Sequence, residues 1–378
     1  MTEEDAVDKL KICIVGCGRI ATLNCLGYKD HPHAEVYAVC DVDEARARAF
    51  ALETGAGTVY TDYAQALGDP AIDVIDLLVP HHLHCEMSVQ ACRAGKHVSV
   101  QKPMAMSLEE CDRMIEAARQ AGVWLKVYEN FVFYPPYVKA KQLIDEGAIG
   151  EPLSIRLKMN AGSNKHGWRV DPASWTWRMQ EELSGGGELV FDDGNHKFSL
   201  ARYFMGEPER VFAFIGHTPM EGEMYADRHT GKMVQFYQDA PSVIVWRYKD
   251  SERFGVFDIT WSKDLEIKSD YYACDERVEI TGTKGVLWVT RCTGKMLDIP
   301  TLTVYRDGKL KSYHNLRDDW ADSFLDSTCD FVDAIRAGRP PVLTGEDGRE
   351  VLKFSLAAIR SGREMRPVTI DEMEAYRA

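Results

Sequence analysis

Lys11-Ile12-Cys13-Ile14-Val15-Gly16-Cys17-Gly18-Arg19-Ile20-Ala21 sets the architecture of the first third of the chain. Its first five residues form an apolar, β-branched run of the kind that fills a strand buried on both faces. The run ends in Gly16-x-Gly18-x-x-Ala21. Between a strand and a helix, the first glycine of this pattern permits a tight turn and the second lets backbone approach a pyrophosphate. The small third residue lets helix pack on strand. The N-terminus of the following helix adds N–H groups and a positive dipole end. Gly16, Gly18, Arg19 and Ile20 are therefore candidate cofactor-binding residues. Glu35 to Cys40 reads as the next strand, and Asp41 follows it, 23 residues after Gly18. A carboxylate there accepts hydrogen bonds from ribose hydroxyls and repels a 2′-phosphate. With Val42 where a phosphate-binding arginine would stand, NAD is favoured over NADP, a preference that nearby Arg46 and Arg48 soften.

The same grammar continues outward. Val74–Val79, His97–Val100 and Trp124–Tyr128 read as strands. Asp43 can cap a helix through Glu53, a helix from His82 to Arg93 stops at Gly95, and Ser107 with Glu110 forms a capping box. Strand and helix in alternation with short links specify a doubly wound parallel sheet of the Rossmann type. After Pro135 a helix from Pro136 to Glu146 is followed by strand-like runs at Leu153–Met159, Glu209–Ile215, Ser242–Tyr248, Phe254–Thr260, Arg277–Thr281 and Val286–Val289. Turn signals at Gly282-Thr283-Lys284-Gly285 and Asp307-Gly308 suit hairpins. Two late helices, Asp319–Ala337 and Glu346–Gly362, pack on this sheet or return to the first domain. The expected fold is α/β: a dinucleotide-binding domain over residues 1–133, and an α+β domain over 134–378 with a largely antiparallel open sheet for substrate binding and oligomerisation.

Composition narrows the function. Of 378 residues, 59 are acidic and 45 basic, a net charge of −14 that repels nucleic acid and anionic lipid. No apolar stretch approaches the roughly 20 residues needed to span a bilayer. The segment Met1 to Lys9 is polar and acidic, and the run after it is too short for a signal-peptide core. The ten cysteines form no CxxC pair and sit mostly in apolar runs, as reduced thiols of a cytoplasmic protein do. No His, Cys and acidic residues show metal-ligand spacing, and His217, His229 and His314 read as structural or surface residues.

Candidate chemistry stands at the carboxyl ends of the later strands, where open α/β sheets bind ligands. Gln101-Lys102-Pro103 follows an apolar strand directly, so the lysine can aim its ammonium at a substrate hydroxyl. Further on, Gly185-Gly186-Gly187 leads into Glu188 to His196. If this stretch begins a helix, Asp192 and His196 share a face, giving a base of suitable pKa and a carboxylate to orient it or the substrate. Just before it, Lys165, His166, Arg169, Trp177 and Arg178 offer cations for hydroxyls or anions and an aromatic face for a sugar ring.

These motifs together resemble the Gfo/Idh/MocA oxidoreductases, the family of glucose-fructose oxidoreductase and inositol dehydrogenase. The likeness covers nearly the whole chain. It takes in the glycine turn, the Asp41 strand end, Pro80-His81-His82-Leu83-His84, Lys102-Pro103, Gly147-Ala148-Ile149-Gly150, Asp192-x-Gly194-x-His196 and the segment from Phe331 to Pro341. The resemblance implies Lys102, Asp192 and His196 as the catalytic set, with Lys102 and His196 sharing proton transfer. It implies Pro80, His81, His84, Gln101 and Lys102 near the cofactor, Asn130 and Asn195 near the substrate, and a homodimer or homotetramer built through the second sheet. Two departures stand out. The family usually has Glu where this chain has Gln101, which removes a negative charge beside Lys102. Many relatives also carry an arginine after the asparagine at the position of Asn130. The leading expectation is an NAD-dependent dehydrogenase acting on a secondary alcohol of a sugar, glycoside or cyclitol, with an acidic sugar as a narrower option. The alternatives are an NAD-dependent glycosidase working by transient oxidation, elimination, water addition and re-reduction, and a non-catalytic nucleotide-binding regulator.

Overall fold

The computed structural model describes residues 9–228 and 230–375. The acidic segment before Lys9, and His229, lie outside the described residues. The chain divides into two compact units, the described part of Met1–Asn130 with Phe324–Glu350, and Phe131–Ser323 with the described part of Val351–Ala378. The first boundary thus falls three residues earlier than the sequence suggests, and Phe324–Glu350 belongs with the first unit.

In the first unit the elements run β1 (Leu10–Val15), α1 (Ala21–Asn24), α2 (Leu26–Asp30), β2 (Ala34–Cys40), α3 (Glu44–Thr54), β3 (Thr58–Tyr60), α4 (Tyr63–Gly68), β4 (Val74–Leu77), α5 (His81–Arg93), β5 (His97–Gln101), α6 (Leu108–Ala121) and β6 (Leu125–Tyr128). The six strands form one sheet in the order β3-β2-β1-β4-β5-β6, parallel throughout. The order reverses between β1 and β4, which opens the ligand crevice of a doubly wound sheet at their carboxyl ends. Ile12, Ile14, Val39, Phe50 and Tyr28 pack with Phe331 and Val332 into one core. The Asp43 and Ser107 caps form, each accepting from the N–H three residues on. The capping box is modified, because Glu110 accepts from the N–H of Met106 instead of that of Ser107. Where one helix was expected after the glycine turn there are two short pieces, α1 and α2, joined at Cys25.

The second unit contains α7 (Pro135–Asp145), β7 (Pro152–Ser163), α8 (Glu181–Ser184), α9 (Gly194–Met205), β8 (Pro208–Phe214), β9 (Thr218–Ala226), β10 (Met233–Gln238), β11 (Ser242–Tyr248), β12 (Phe254–Glu266), β13 (Cys274–Gly282), β14 (Gly285–Val289), β15 (Leu302–Arg306) and β16 (Lys309–Tyr313). Helices α10 (Trp320–Ala337) and α11 (Gly345–Glu364) are shared between the units, and β17 (Val368–Thr369) closes the chain. Nine strands pair as β16-β15-β14-β13-β7-β12-β11-β8-β17, and only β7 with β12 is parallel. A separate hairpin, β9–β10, escapes the sequence reading, because Glu221, Gly222 and Glu223 interrupt the alternation of β9, although Val234 and Phe236 of β10, with Met220 and Tyr225, form an apolar side that packs on Met179.

Close backbone approach fixes one helix in the first unit. A Cβ at Gly27 would lie 2.7 Å from Thr328 Cβ and 2.8 Å from the Leu325 carbonyl oxygen, so α2 meets α10 without a side chain between them. Gly27→Ala is expected to destabilise the protein by about 1–3 kcal/mol through overpacking. Gly57→Ala, where a Cβ meets nothing within 4 Å, should change stability by less than about 0.5 kcal/mol. Urea denaturation of the two variants checks the contrast.

Candidate active site

In the first unit, backbone and one carboxylate build the nucleotide end. Gly16 has φ +95°, and a side chain on it would collide with the Leu78 carbonyl oxygen at the end of β4. Gly18 and Arg19 are exposed, and a Cβ on Gly18 meets nothing within 4 Å, so the turn has open space on the side where a pyrophosphate would approach. Ile20 instead packs against the core of the unit. Asp41 is buried at the end of β2, its Oδ2 accepting the Cys17 N–H and its Oδ1 the Asp43 N–H, each at 2.9 Å. Arg46 Nη1 approaches both oxygens at 3.4 and 3.5 Å. The carboxylate keeps lone pairs for ribose hydroxyls, and these residues fit a dinucleotide.

Pro80 caps α5 and His81 opens it. His84, expected at the cofactor, is fully buried, with its ring nitrogens 2.9 Å from the carbonyl oxygens of Val79 and Pro103. The ring is a strut between the segment after β4 and the turn after β5, and that turn carries Lys102. Gln101 turns its Oε1 back onto the Lys102 N–H at 3.0 Å. Asn130 is buried just beyond β6.

In the second unit, Asp192 and His196 are held by a local departure from regular helix. The Asp239 carboxylate accepts the N–H groups of Leu189 and Val190, both at 2.7 Å. Beyond these, Asp192 donates its N–H to the Gly187 carbonyl and Asp193 to that of Glu188, five residues back in each case. Glu188–Asp192 is thus a π-helical turn, and α9 starts only at Gly194. The expectation of a regular helix running from Asp192 to His196 is corrected accordingly, because the i,i+4 geometry does not carry through a π turn.

Asp192 is buried and accepts from Arg178 Nε at 2.8 Å. The guanidinium lies 3.8 Å from the Trp175 ring centre and 4.3 Å from that of Trp177. Trp175 donates its indole N–H to Glu188, whose other oxygen accepts from Gln238 Nε2. Burial pushes Glu188 up to about 7, against the pull of Arg178, Gln238 and Trp175. His196, in the first turn of α9, stacks on Phe131 with ring centres 4.0 Å apart and planes 8° from parallel. Next to it, buried Lys197 pairs with Asp193 and lies 3.6 Å from Glu276, which accepts from the Thr293 N–H and hydroxyl. Phe131, Glu276 and the Glu276 contact of Lys197 escape a motif reading because the residues they join are remote in sequence.

The other expected substrate contacts spread out. Lys165, His166 and Arg169 are exposed, and Lys165 pairs with Glu266. Arg178 is committed to Asp192 and the two indoles, while Trp177 and Asn195 remain close by in the chain, Asn195 buried at the start of α9. Trp168 packs edge-on against Tyr271, Tyr272 and Trp320. Among the described residues no three His, Cys, Asp or Glu side chains gather as a metal ion would require.

Comparison with known proteins identifies the family and the cofactor of the first unit. Residues 10–129 match the family model described as "Oxidoreductase family, NAD-binding Rossmann fold", and residues 137–288 match that of the "GFO/IDH/MocA C-terminal domain". The chain belongs to the Gfo/Idh/MocA oxidoreductase family. Its first unit is an NAD-binding Rossmann domain, and the chain is similar to dehydrogenases and reductases of sugars and polyols. Among the relatives, myo-inositol 2-dehydrogenase of Thermotoga maritima is 29% identical over 366 residues, covering 96% of this chain and 99% of its own. The 1,5-anhydro-D-fructose reductase of Ensifer adhaerens is 26% identical over 92% of this chain and 95% of its own. Among solved structures, an NAD-binding oxidoreductase from Klebsiella pneumoniae superposes with TM-score 0.78 at 26% identity, covering 96% of this chain and 99% of that one. Levoglucosan dehydrogenase in complex with NADH and L-sorbose shares the fold, with TM-score 0.80 at 22% identity over 96% of this chain and 99% of that chain. No helix of the described residues is long and apolar enough to cross a membrane.

The elevated Glu188 yields a pH prediction. A carboxyl raised from 4.5 to about 7 in the folded state keeps its proton where the unfolded chain has lost it. Stability therefore falls as pH rises through that window. Glu188→Gln lacks this titration, so the melting temperature of the parent should fall relative to the variant between pH 4.5 and 7 and then run parallel to it. Calorimetry across that range reads the difference.

Proposed function

We propose that this protein oxidises a secondary alcohol of a sugar, glycoside or cyclitol, with Lys102, Asp192 and His196 supplying proton transfer and substrate orientation. The observation that carries the reading is the hold on Asp192 and His196. One is fixed by an arginine clamped against two tryptophans, and the other is stacked flat on a phenylalanine. Such packing is what a pre-organised acid–base pair requires. Bound NAD supplies the hydride acceptor. The Lys102 ammonium hydrogen-bonds the substrate hydroxyl and favours its ionisation, while His196 shares the departing proton. Asp192, paired with Arg178, orients the imidazole or a neighbouring hydroxyl. Asn130, Asn195 and Trp177 are assigned to the sugar ring. Relatives named for myo-inositol, a cyclic polyol, and for 1,5-anhydro-D-fructose, a cyclic hydroxyketone that a reductase acts on, support the substrate class.

Free sugars, cyclitols, uronates and glycosides with NAD test the reading. Reduced nicotinamide matched by one carbonyl product per turnover is expected. Aglycone release that needs NAD but accumulates no reduced cofactor would replace the dehydrogenase with a glycosidase. Lys102→Ala and His196→Ala should each lower kcat by about 10²–10⁴-fold, with NAD affinity by calorimetry unchanged for His196→Ala.

The second unit also carries the oligomerisation proposed for this chain. On one face of its sheet the register aligns Phe212 with Val245 and Val256, and Phe214 with Val243. Phe254, Val245 and Phe214 are exposed there. We assign this apolar face to a second copy of the chain. Val245→Glu should convert a dimer or tetramer to monomer in sedimentation. A parent that is already monomeric would remove the proposal.

A further inference from the structure

Asp76 lies inside the apolar run of β4 and is fully buried. Strand register sets it beside Ser99 on β5, and Ser99 beside Lys126 on β6. A carboxylate, a hydroxyl and an ammonium thus form one row across three parallel strands. Asn24, at the end of α1, and Tyr28, in α2, act on the same carboxylate, and the Tyr128 phenol is also in electrostatic reach. Lys126 donates to the Ser327 hydroxyl at 2.8 Å and to the carbonyl of the same residue. Thr328 donates to the Asn24 carbonyl at 3.1 Å. Asn24 Nδ2, the Tyr28 hydroxyl, Ser99 Oγ and both Asp76 oxygens have no partner in full hydrogen-bond geometry. Burial pushes Asp76 up to about 6, against the pull of Ser99, the Lys126 charge, Asn24 and Tyr28. A charged carboxylate persists in such a place only while donors are turned toward it.

Asn24 joins this row to the Lys102 turn. Its Oδ1 accepts from Gln101 Nε2 at 3.5 Å, a long bond, and Gln101 Oε1 accepts the Lys102 N–H at 3.0 Å. Both ends impose the same polarity. The Lys102 N–H is a donor, so Gln101 turns its oxygen there and offers its NH₂ group to Asn24. The Asp76 carboxylate is an acceptor, so Asn24 turns its NH₂ group inward and its oxygen toward Gln101.

We propose that Asp76 and Asn24 are positioning residues for Lys102, acting through the side-chain amide of Gln101 to hold the turn that carries the lysine. The proposal rests on the role assigned above to Lys102. It also accounts for the amide at position 101. A glutamate there would accept at both ends, forcing Asn24 to reverse and to set its oxygen against the Asp76 carboxylate.

The test is a cycle of Gln101→Glu, Asp76→Asn and the double variant, read by kcat, its pH profile and the melting temperature from pH 5 to 8. Expected for Gln101→Glu is a drop in kcat of about 10-fold or more and a melting temperature that falls with pH relative to the parent, because two facing acceptors ionise. Asp76→Asn, which leaves only a weaker amide acceptor opposite Asn24, should lower kcat by about 3-fold, and the double variant should rise from the Gln101→Glu level to that of Asp76→Asn with the pH-dependent loss removed, since such non-additivity is the mark of coupled sites. Should Gln101→Glu not fold, Asn24→Asp sets the same clash from the other residue, and Asp76→Asn should rescue it too. A double variant no better than Gln101→Glu overturns the proposal, as does a fully active Gln101→Glu. Thermal coupling without any change in kcat or its pH profile overturns the positioning role. If the parent turns over no sugar or cyclitol, the catalytic reading of Lys102 fails and the positioning role falls with it, while the thermal cycle still decides whether the two carboxylates communicate.

Discussion

Asp41 and the turn after β1 depend on one another. The carboxylate accepts the Cys17 and Asp43 N–H groups, the Gly16 N–H donates to the Cys40 carbonyl at 2.8 Å, and Gly16 presses against the Leu78 carbonyl without a side chain. The ends of β1, β2 and β4 are thereby tied at the point where the strand order reverses. Removing the carboxylate would leave a buried N–H without a partner, a loss of about 1–3 kcal/mol. Cofactor choice and fold are consequently difficult to change separately here, because the residue proposed for the ribose also builds the turn proposed for the pyrophosphate. Arg46 adds a cation at the same carboxylate.

A second buried aspartate shapes the segment that carries Asp192 and His196. Asp239 takes two N–H groups at the start of the Glu188–Asp192 segment, and the chain answers with a π turn. A π turn widens the local helix by one residue and so alters where the side chain of Asp192 points before α9 becomes regular. Gly187 leaves room for this carboxylate, as a Cβ there would strike Asp239. The glycine run that precedes the motif therefore has a packing reason as well as a flexible one. Arg178 then completes the arrangement by fixing Asp192 from a separate segment.

Much of this was legible in the sequence, and what was not has a common cause. Five of the six strands of the first unit start and stop within a residue or two of the expected places, because apolar runs ended by Gly, Pro or a capping residue leave few alternatives, while the three-residue edge strand β3 is too short to read. Lys102, Asp192 and His196 could be singled out by their placement after strand ends and glycines. The clamp on Asp192, the Phe131–His196 stack and the Lys197–Glu276 pair could not, since each joins residues far apart in the chain. Asp76 is the sharpest case. A lone acid in Val74-Ile75-Asp76-Leu77 leaves the strand reading intact, and only the register with Ser99 and Lys126 shows why it is tolerated. His84 likewise has a structural part that no motif shows, since its ring nitrogens lie 2.9 Å from the carbonyl oxygens of Val79 and Pro103.

The chain is a member of the Gfo/Idh/MocA oxidoreductases, and the reaction proposed for it assigns roles to the cofactor turn, Lys102, Asp192 and His196. The central claim is hydride transfer from a carbinol carbon of a cyclic polyol. Following a deuterium label placed on that carbon tests it most directly, with mass spectrometry of both products after a single turnover. The account predicts one deuterium on the nicotinamide ring for each ketone formed. Label that stays on the carbon, or is lost to water while the nicotinamide remains unlabelled, would contradict it.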